Sequence, residues 1–197
     1  MRKKIGIFGG TFNPIHNGHL DIAKGAYVRY SLDRIYFVPT GFSYHKVQDK
    51  IISDSDRINM LRLAIKNEEK FLIGEFDLKR EGPTYSLDTV TDIKKIEGEG
   101  DYYFILGSDA FLKILQWKNI ETLAENVFFL VAIRNEQRKV NFLESYFKMP
   151  EFIKNKTLIY DCDSTEISSE EIRKGNYDKA KLPEEVYDYI KDKGLYL

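Results

Sequence analysis

Six apolar runs of strand length, set apart by longer segments of helical period, restrict this chain to few architectures. The runs are Lys4 to Phe8, Arg34 to Val38, Phe71 to Gly74, Tyr102 to Leu106, Val127 to Ala132 and Thr157 to Tyr160. Strands alternating with helices are the signature of βαβ units and a parallel sheet. Helical spacing is found from about Gly18 to Tyr30, from Asp54 to Ile65 and from Ser86 to Ile96. A weaker period covers Asn141 to Phe147, and Ser168 to Lys174 and Glu184 to Lys193 are helix-like, with Pro183 opening the second. In the third helix Leu87, Val90, Ile93 and Ile96 form a stripe expected to cover one sheet face, while Lys94 and Lys95 stay in water. The expected fold is α/β, a Rossmann-like parallel sheet with helices on both faces. No repeat, linker or low-complexity tract interrupts it, so residues 1–197 read as one domain. Such sheets bind ligands at the C-terminal ends of their strands.

Composition narrows the partners. With 43% apolar residues and 30 basic against 31 acidic, the chain is neither disordered nor equipped with the basic face that a dedicated nucleic-acid or anionic-membrane binder needs. Cys162 is the only cysteine, which excludes an intrachain disulfide and a cysteine zinc site; it reads as an inert small residue near a strand's end. The apolar run after the basic start breaks at Gly9-Gly10, too early for a signal peptide, and no window approaches the roughly 18 apolar residues of a membrane span. A cytoplasmic location is expected, and the Asn155-Lys156-Thr157 triplet then has no route to glycosylation. Oligomeric state stays open, a homo-oligomer included.

The chemistry concentrates where the first strand meets the first helix, in Gly9-Gly10-Thr11-Phe12-Asn13-Pro14-Ile15-His16-Asn17-Gly18-His19. Paired glycines let the backbone approach a ligand, and a helix N-terminus presents unpaired N–H groups to an anion, so a phosphate fits. The segment is neither G-x-G-x-x-G nor a P-loop, because no Gly-Lys-Ser/Thr follows. His16 and His19 stand where the lysine would be, able to donate to phosphate oxygens from one side of the first turn. Two plainer readings compete: half of a metal site, for which His45 is the only other histidine, or surface residues without a role.

This loop resembles the His-x-Gly-His signature of the nucleotidylyltransferase superfamily. Four further segments, in order, extend the resemblance to its bacterial nicotinate-nucleotide adenylyltransferase family. Phe37-Val38-Pro39-Thr40 with His45-Lys46 is similar to the second-strand loop, and Glu81-Gly82-Pro83-Thr84-Tyr85-Ser86 through Val90 to the "GPSYT-x-x-T" stretch. Ile105 to Asp109 with Trp117 is similar to the "GAD" strand end and its downstream tryptophan, and Ile167 to Arg173 to "ISST-x-IR". The closing Leu182-Pro183 and Gly194-Leu195-Tyr196 also look like the family's end. The resemblance implies a fold of nucleotidylyltransferase type and transfer of AMP from ATP to nicotinate mononucleotide, with Mg²⁺ arriving on the ATP.

It also implies roles. Gly9, Gly10, Thr11, Phe12 and Gly18 approach ATP; His16 and His19 face its phosphates, His19 nearest the reacting one, and the dense negative charge there favours imidazolium. Lys46 and Arg173 are the catalytic cations, with Arg134 nearby, although Asn135-Glu136 replaces the usual Pro-Gly and Ser43-Tyr44 the usual prolines. Ile167, Ser168 and Ser169 form a helix start with exposed hydroxyls for the β and γ phosphates; by spacing alone Ser168 or Ser169 is an N-cap helped by Glu170 or Glu171. Glu170 stands where Thr or Ser is usual and should turn away from a triphosphate. Gly107 and Asp109 close the site, Asp109 toward a ribose hydroxyl; the plain reading of Asp109 is an N-cap. For the acceptor, Trp117 stacks on the pyridine, main chain near Lys118 and the Ser86 hydroxyl hold its carboxylate, and Thr84 and Tyr85 shape the pocket. A lone tryptophan is otherwise more often core. Arg57 and Arg80 read as structural ion pairs, and the polar loop from Gly41 to Ser53 is long enough to close over ATP. The alternatives are the same transfer to nicotinamide mononucleotide, a phosphopantetheine adenylyltransferase, or a catalytically silent nucleotide-binding regulator.

Overall fold

A computed structural model describes residues 2–41, 52–134, 136–175 and 178–196, without the side chains of 136–138. The strands are β1 (Lys3–Gly10), β2 (Arg34–Pro39), β3 (Phe71–Ile73), β4 (Gly100–Gly107), β5 (Phe128–Ile133) and β6 (Thr157–Asp161). The helices are α1 (Asn17–Tyr30), α2 (Asp54–Ile65), α3 (Ser86–Glu97), α4 (Ser108–Phe111), α5 (Ile120–Asn126), α6 (Glu136–Tyr146), α7 (Glu151–Lys154), α8 (Ser169–Arg173) and α9 (Glu184–Asp192). Among the described residues the strands form one six-stranded sheet in the order β3-β2-β1-β4-β5-β6, every neighbouring pair parallel.

Both faces are covered, which is why the strands are apolar at consecutive positions rather than alternate ones. Ile35, Phe37, Ile105 and Leu130 pack with Ile22 and Ala26 of α1, Met60 and Leu61 of α2, Ile172 of α8 and Val186 and Ile190 of α9. On the other face Ile5, Ile7, Val38, Phe104 and Val131 meet Val90 and Ile93 of α3, Leu123 of α5, Phe142 of α6 and Ile153 of α7.

The α3 stripe needs a correction: Ile96 is 61% exposed and Glu97 is buried. From Val90 and Ile93, helical spacing continues to 97, so 96 rotates into solvent. Burial alone would raise the Glu97 pKa. Donation from Tyr36 (2.6 Å) and Lys3 (3.3 Å), with Arg34 at 3.1 Å, outweighs it and holds the carboxyl below the usual range. Helix α6 starts earlier than its apolar period, at Glu136 rather than Asn141. The short helices α4, α5 and α7 escape detection because one or two turns carry too little period.

Candidate active site

Sheet order reverses between β1 and β4, which opens a crevice at the C-terminal ends of those strands, and the glycine-histidine loop lies there. β1 ends in Gly9-Gly10, the chain crosses through Thr11 to Ile15, and α1 begins at Asn17 with His16 in extended backbone at the N-cap position. Phe12 has a left-handed backbone (φ 46°), unfavourable for a side-chain residue and held here by burying its ring to 1% exposure. That ring packs on Phe8 and Phe37, with centroids at 5.7 and 5.8 Å. A Cβ on Gly10 would sit 3.0 Å from the Phe12 ring, so the second glycine makes room for the aromatic as well as for any ligand.

The two histidines stack, centroids 3.7 Å apart and planes 26° from parallel. The His16 backbone N–H donates to His19 Nδ1 at 3.3 Å. His19 therefore accepts at Nδ1, and its neutral form carries the proton on Nε2. Half-buried His19 lines a cleft with Gly9, Gly10, Leu106, Gly107, Asp109 and Arg134. His16 lies deeper, 2% exposed, with no hydrogen-bond partner at Nδ1 among the described residues. Burial, aided by the Arg134 charge, pushes its pKa down to about 3. Desolvation thus favours the neutral form of His16, whereas the expected imidazolium is a property of histidines facing phosphate charge.

That neutrality has a pH signature. Unfolded, His16 titrates near 6.5, so between pH 6.5 and 3 the unfolded chain takes up a proton that the folded one refuses. Its contribution is whole above pH 6.5 and is lost as pH falls toward 3. Thermal unfolding of the protein and of His16→Asn at pH 7.5 and pH 5 should show the unsubstituted protein losing more, by on the order of 1–2 kcal/mol. Equal losses would place the titration elsewhere.

The opposite wall follows β4. Gly107 is the N-cap of α4 and Asp109 lies in the first turn, so the N-cap reading of Asp109 is wrong; Gly107 already carries the extended backbone that a cap requires. Asp109 and Arg134 also line an adjoining cleft with Glu166, Ile167, Ser168, Glu171 and Lys181. Arg134, just past β5, donates to the Ile167 carbonyl at 3.4 Å. Ser168 caps α8 with a capping box: its Oγ accepts from the Glu171 N–H at 3.2 Å while the Glu171 carboxylate accepts from the Ser168 N–H at 2.7 Å. Ser169 Oγ donates to the Pro14 carbonyl at 2.8 Å. The hydroxyls expected to be open are thus engaged, one in capping and one in tethering the histidine loop. Arg173 likewise donates to the Asn13 carbonyl at 2.8 Å, and exposed Glu170 pairs with Lys174.

Gly18 owes its small size to this wall, since a Cβ there would lie 2.8 Å from the Thr165 carbonyl oxygen. Asp21 fixes that segment, accepting from the Thr165 N–H at 2.8 Å and hydroxyl at 2.9 Å.

Thr84, Tyr85, Ser86 and Lys118, expected at the acceptor, lie around the start of α3. Tyr85 holds the N-cap position and Ser86 opens the helix; Lys118 Nζ lies 4.1 Å from the Tyr85 ring centroid. Thr84 borders Gly41, where a Cβ would be 3.5 Å from its methyl. Thr40 in turn donates its N–H to the Gly10 carbonyl at 2.9 Å, which joins this group to the histidine loop. Half-buried Trp117 stands edge-on to Phe104 (5.5 Å, 76°), its body against the core and part of its surface open. Lys46, His45 and the Ser43-Tyr44 pair lie outside the described residues.

Residues 7–175 match the cytidylyltransferase-like family. A Clostridium tetani protein named "probable nicotinate-nucleotide adenylyltransferase" is 38% identical over 198 residues, covering 98% of this chain and 99% of that protein. Its namesake from Desulfitobacterium hafniense (strain DSM 10664 / DCB-2) is 36% identical over 199 residues, covering 98% and 96%. The chain belongs to the nicotinate-nucleotide adenylyltransferase family. The adenylyltransferase fold also superposes on Plasmodium falciparum nicotinic acid mononucleotide adenylyltransferase complexed with NaAD, with a TM-score of 0.72 and 25% identity over 98% of this chain and 97% of that one. The same Plasmodium protein complexed with APC gives a TM-score of 0.71.

The contacts that three residues make around this candidate site escaped the sequence reading. Arg57, 1% exposed, donates to the Thr11 and Thr40 carbonyls at 2.8 and 2.9 Å besides pairing with Asp54, so it is more than an ion pair; Arg80 is one, with Asp92. Tyr196 donates its hydroxyl to Asn13 Oδ1 at 2.7 Å, and Lys181 lines the second cleft while donating to the Glu166 carbonyl at 2.9 Å. Only the helical phase of Arg57, beside Met60 and Leu61 on the buried side of α2, carried a signal.

Proposed function

We propose that this adenylyltransferase, working as one domain over residues 1–197, transfers AMP from ATP to nicotinate mononucleotide in NAD biosynthesis, giving nicotinate adenine dinucleotide and pyrophosphate. The observation that carries the reading is the stacked His16–His19 pair at the sheet's reversal point, with His19 lining the cleft it shares with Gly9, Gly10, Asp109 and Arg134.

A phosphate oxygen of the mononucleotide attacks the α-phosphorus of ATP; that P–O bond forms as the bond to the bridging oxygen breaks, and pyrophosphate leaves with the electron pair. The nucleophile is already ionised, so the protein aligns and neutralises. His19, with Nδ1 engaged by the loop, offers Nε2–H to the α-phosphate oxygens as negative charge grows. Neutral His16 backs it in the stack. Gly9, Gly10, Thr11 and Phe12 bring main chain up to the nucleotide, with Gly18 at the turn. Lys46, Arg134 and Arg173 offset phosphate charge, beside the helix start at Ile167, Ser168 and Ser169. Beyond Gly107, Asp109 receives a ribose hydroxyl. Trp117 stacks on the pyridine, with Thr84, Tyr85, Ser86 and main chain near Lys118 around its carboxylate.

Mg²⁺ bound to ATP would neutralise phosphate charge. Among the described residues no three His, Cys, Asp or Glu are grouped to hold a metal. No described helix is long and apolar enough to cross a membrane. We place the reaction in the cytoplasm, where ATP is available.

Pyrophosphate release with ATP, Mg²⁺ and each acceptor in turn tests the proposal. Nicotinate mononucleotide should support turnover and nicotinamide mononucleotide should be at least about tenfold slower, because donors set for a carboxylate meet an amide poorly. Release with phosphopantetheine alone would move the protein to another branch, and no release with any acceptor would make it a silent nucleotide binder.

A further inference from the structure

Arg57 is a charged side chain buried behind the histidine loop, out of reach of a nucleotide in the cleft. Its Nη1 donates to two carbonyls, Thr11 O at 2.8 Å and Thr40 O at 2.9 Å, and Nη2 pairs with Asp54. Among the described residues its Nε has no partner. One guanidinium thus ties the exit of β1, the exit of β2 and the first turn of α2 together. Burying a guanidinium is costly, and a methionine would fill the same space beside Met60 and Leu61 without that cost. Stability alone therefore gives little reason for an arginine.

From this geometry we infer that Arg57 is a positioning residue for adenylyl transfer, setting the direction of the Phe12 and Gly41 main-chain N–H groups. In a planar trans peptide the N–H points opposite to the preceding carbonyl. Turning the Thr11 and Thr40 carbonyls inward onto Arg57 turns the Phe12 and Gly41 N–H groups away from it. Among the described residues neither N–H has a hydrogen-bond acceptor. Two donors aimed in this way from adjacent strand ends suit a phosphate oxygen, as in other backbone anion sites. Lysine cannot replace the arginine, since an ammonium does not present a planar fork to two carbonyls and a carboxylate at once.

The inference rests on the function proposed above, and its test separates the two. Arg57→Lys and Asp54→Ala are prepared, the second because it removes the carboxylate partner from outside while leaving the guanidinium and its two carbonyl contacts in place. Folding is followed by thermal unfolding, and kcat and KM for ATP and for nicotinate mononucleotide are measured below the transition. Arg57→Lys should lose about 10- to 100-fold in kcat/KM for ATP with KM for the acceptor within about threefold, and Asp54→Ala should lose less in the same direction. Amide NMR resonances of Phe12 and Gly41 should shift in both variants without any substrate. Should Arg57→Lys fail to fold, Asp54→Ala decides alone. Folded variants with unchanged kinetics and unmoved resonances would reduce Arg57 to a buried fold contact. Turnover by the unsubstituted protein, run alongside, tests the reaction itself.

Discussion

Replacing His19 with alanine should lower kcat by about 100- to 1000-fold while leaving KM for the acceptor within about threefold. That size is typical for removing one preorganised donor to developing charge, and the split follows because the lost contact strengthens in the transition state. The fold should survive, since His19 is half-buried and alanine favours helix. Steady-state pyrophosphate release with each substrate varied checks this. A loss below about tenfold, or one carried mainly by acceptor KM, would take His19 away from the reacting phosphate.

Gly18→Ala should cost about 100-fold in kcat/KM for ATP, although alanine is the better helix residue by about 1 kcal/mol. The added methyl would sit 2.8 Å from the Thr165 carbonyl, a backbone atom, and Asp21 holds Thr165 by two hydrogen bonds, so neither side yields cheaply. Relief requires the segment leading to Ser169 to move off α1. That shift pulls on the Ser169 bond to Pro14 and the Arg134 bond to Ile167, which join the histidine loop to the second cleft. The melting temperature should fall by only a few degrees, since the helix itself stays intact. Activity within about threefold of the unsubstituted protein would show that this close approach is dispensable.

Much of the fold was legible because its signals are local. All six strands appear where continuous apolar runs stand, and α1, α2, α3 and α9 within a residue or two of their periodic segments. The Ile96 error arose from extending a stripe by threes when helical phase had already passed to Glu97. At the candidate site, residue types pointed to the glycine-histidine loop but not to the contacts each group makes inside it. Spacing read the cap at Ser168 with Glu171 correctly, but not that the Ser169 hydroxyl holds Pro14, because a hydroxyl bonds whatever the fold brings near. The plain alternative for Asp109, a cap, fails because the sequence does not reveal that Gly107 already supplies the turn.

The sequence by itself determined the doubly covered parallel sheet, the glycine-histidine loop and the family, since periodicity and motif spacing depend only on neighbours along the chain. Only the tertiary structure decided that burial favours neutral His16, that Gly18 is small to admit Thr165, and that Arg57, Arg173 and Tyr196 hold the loop's polar groups from α2, α8 and the chain's end. Burial, close approach and hydrogen-bond partners are set by residues tens to more than a hundred positions apart, and no local pattern encodes which of them will meet.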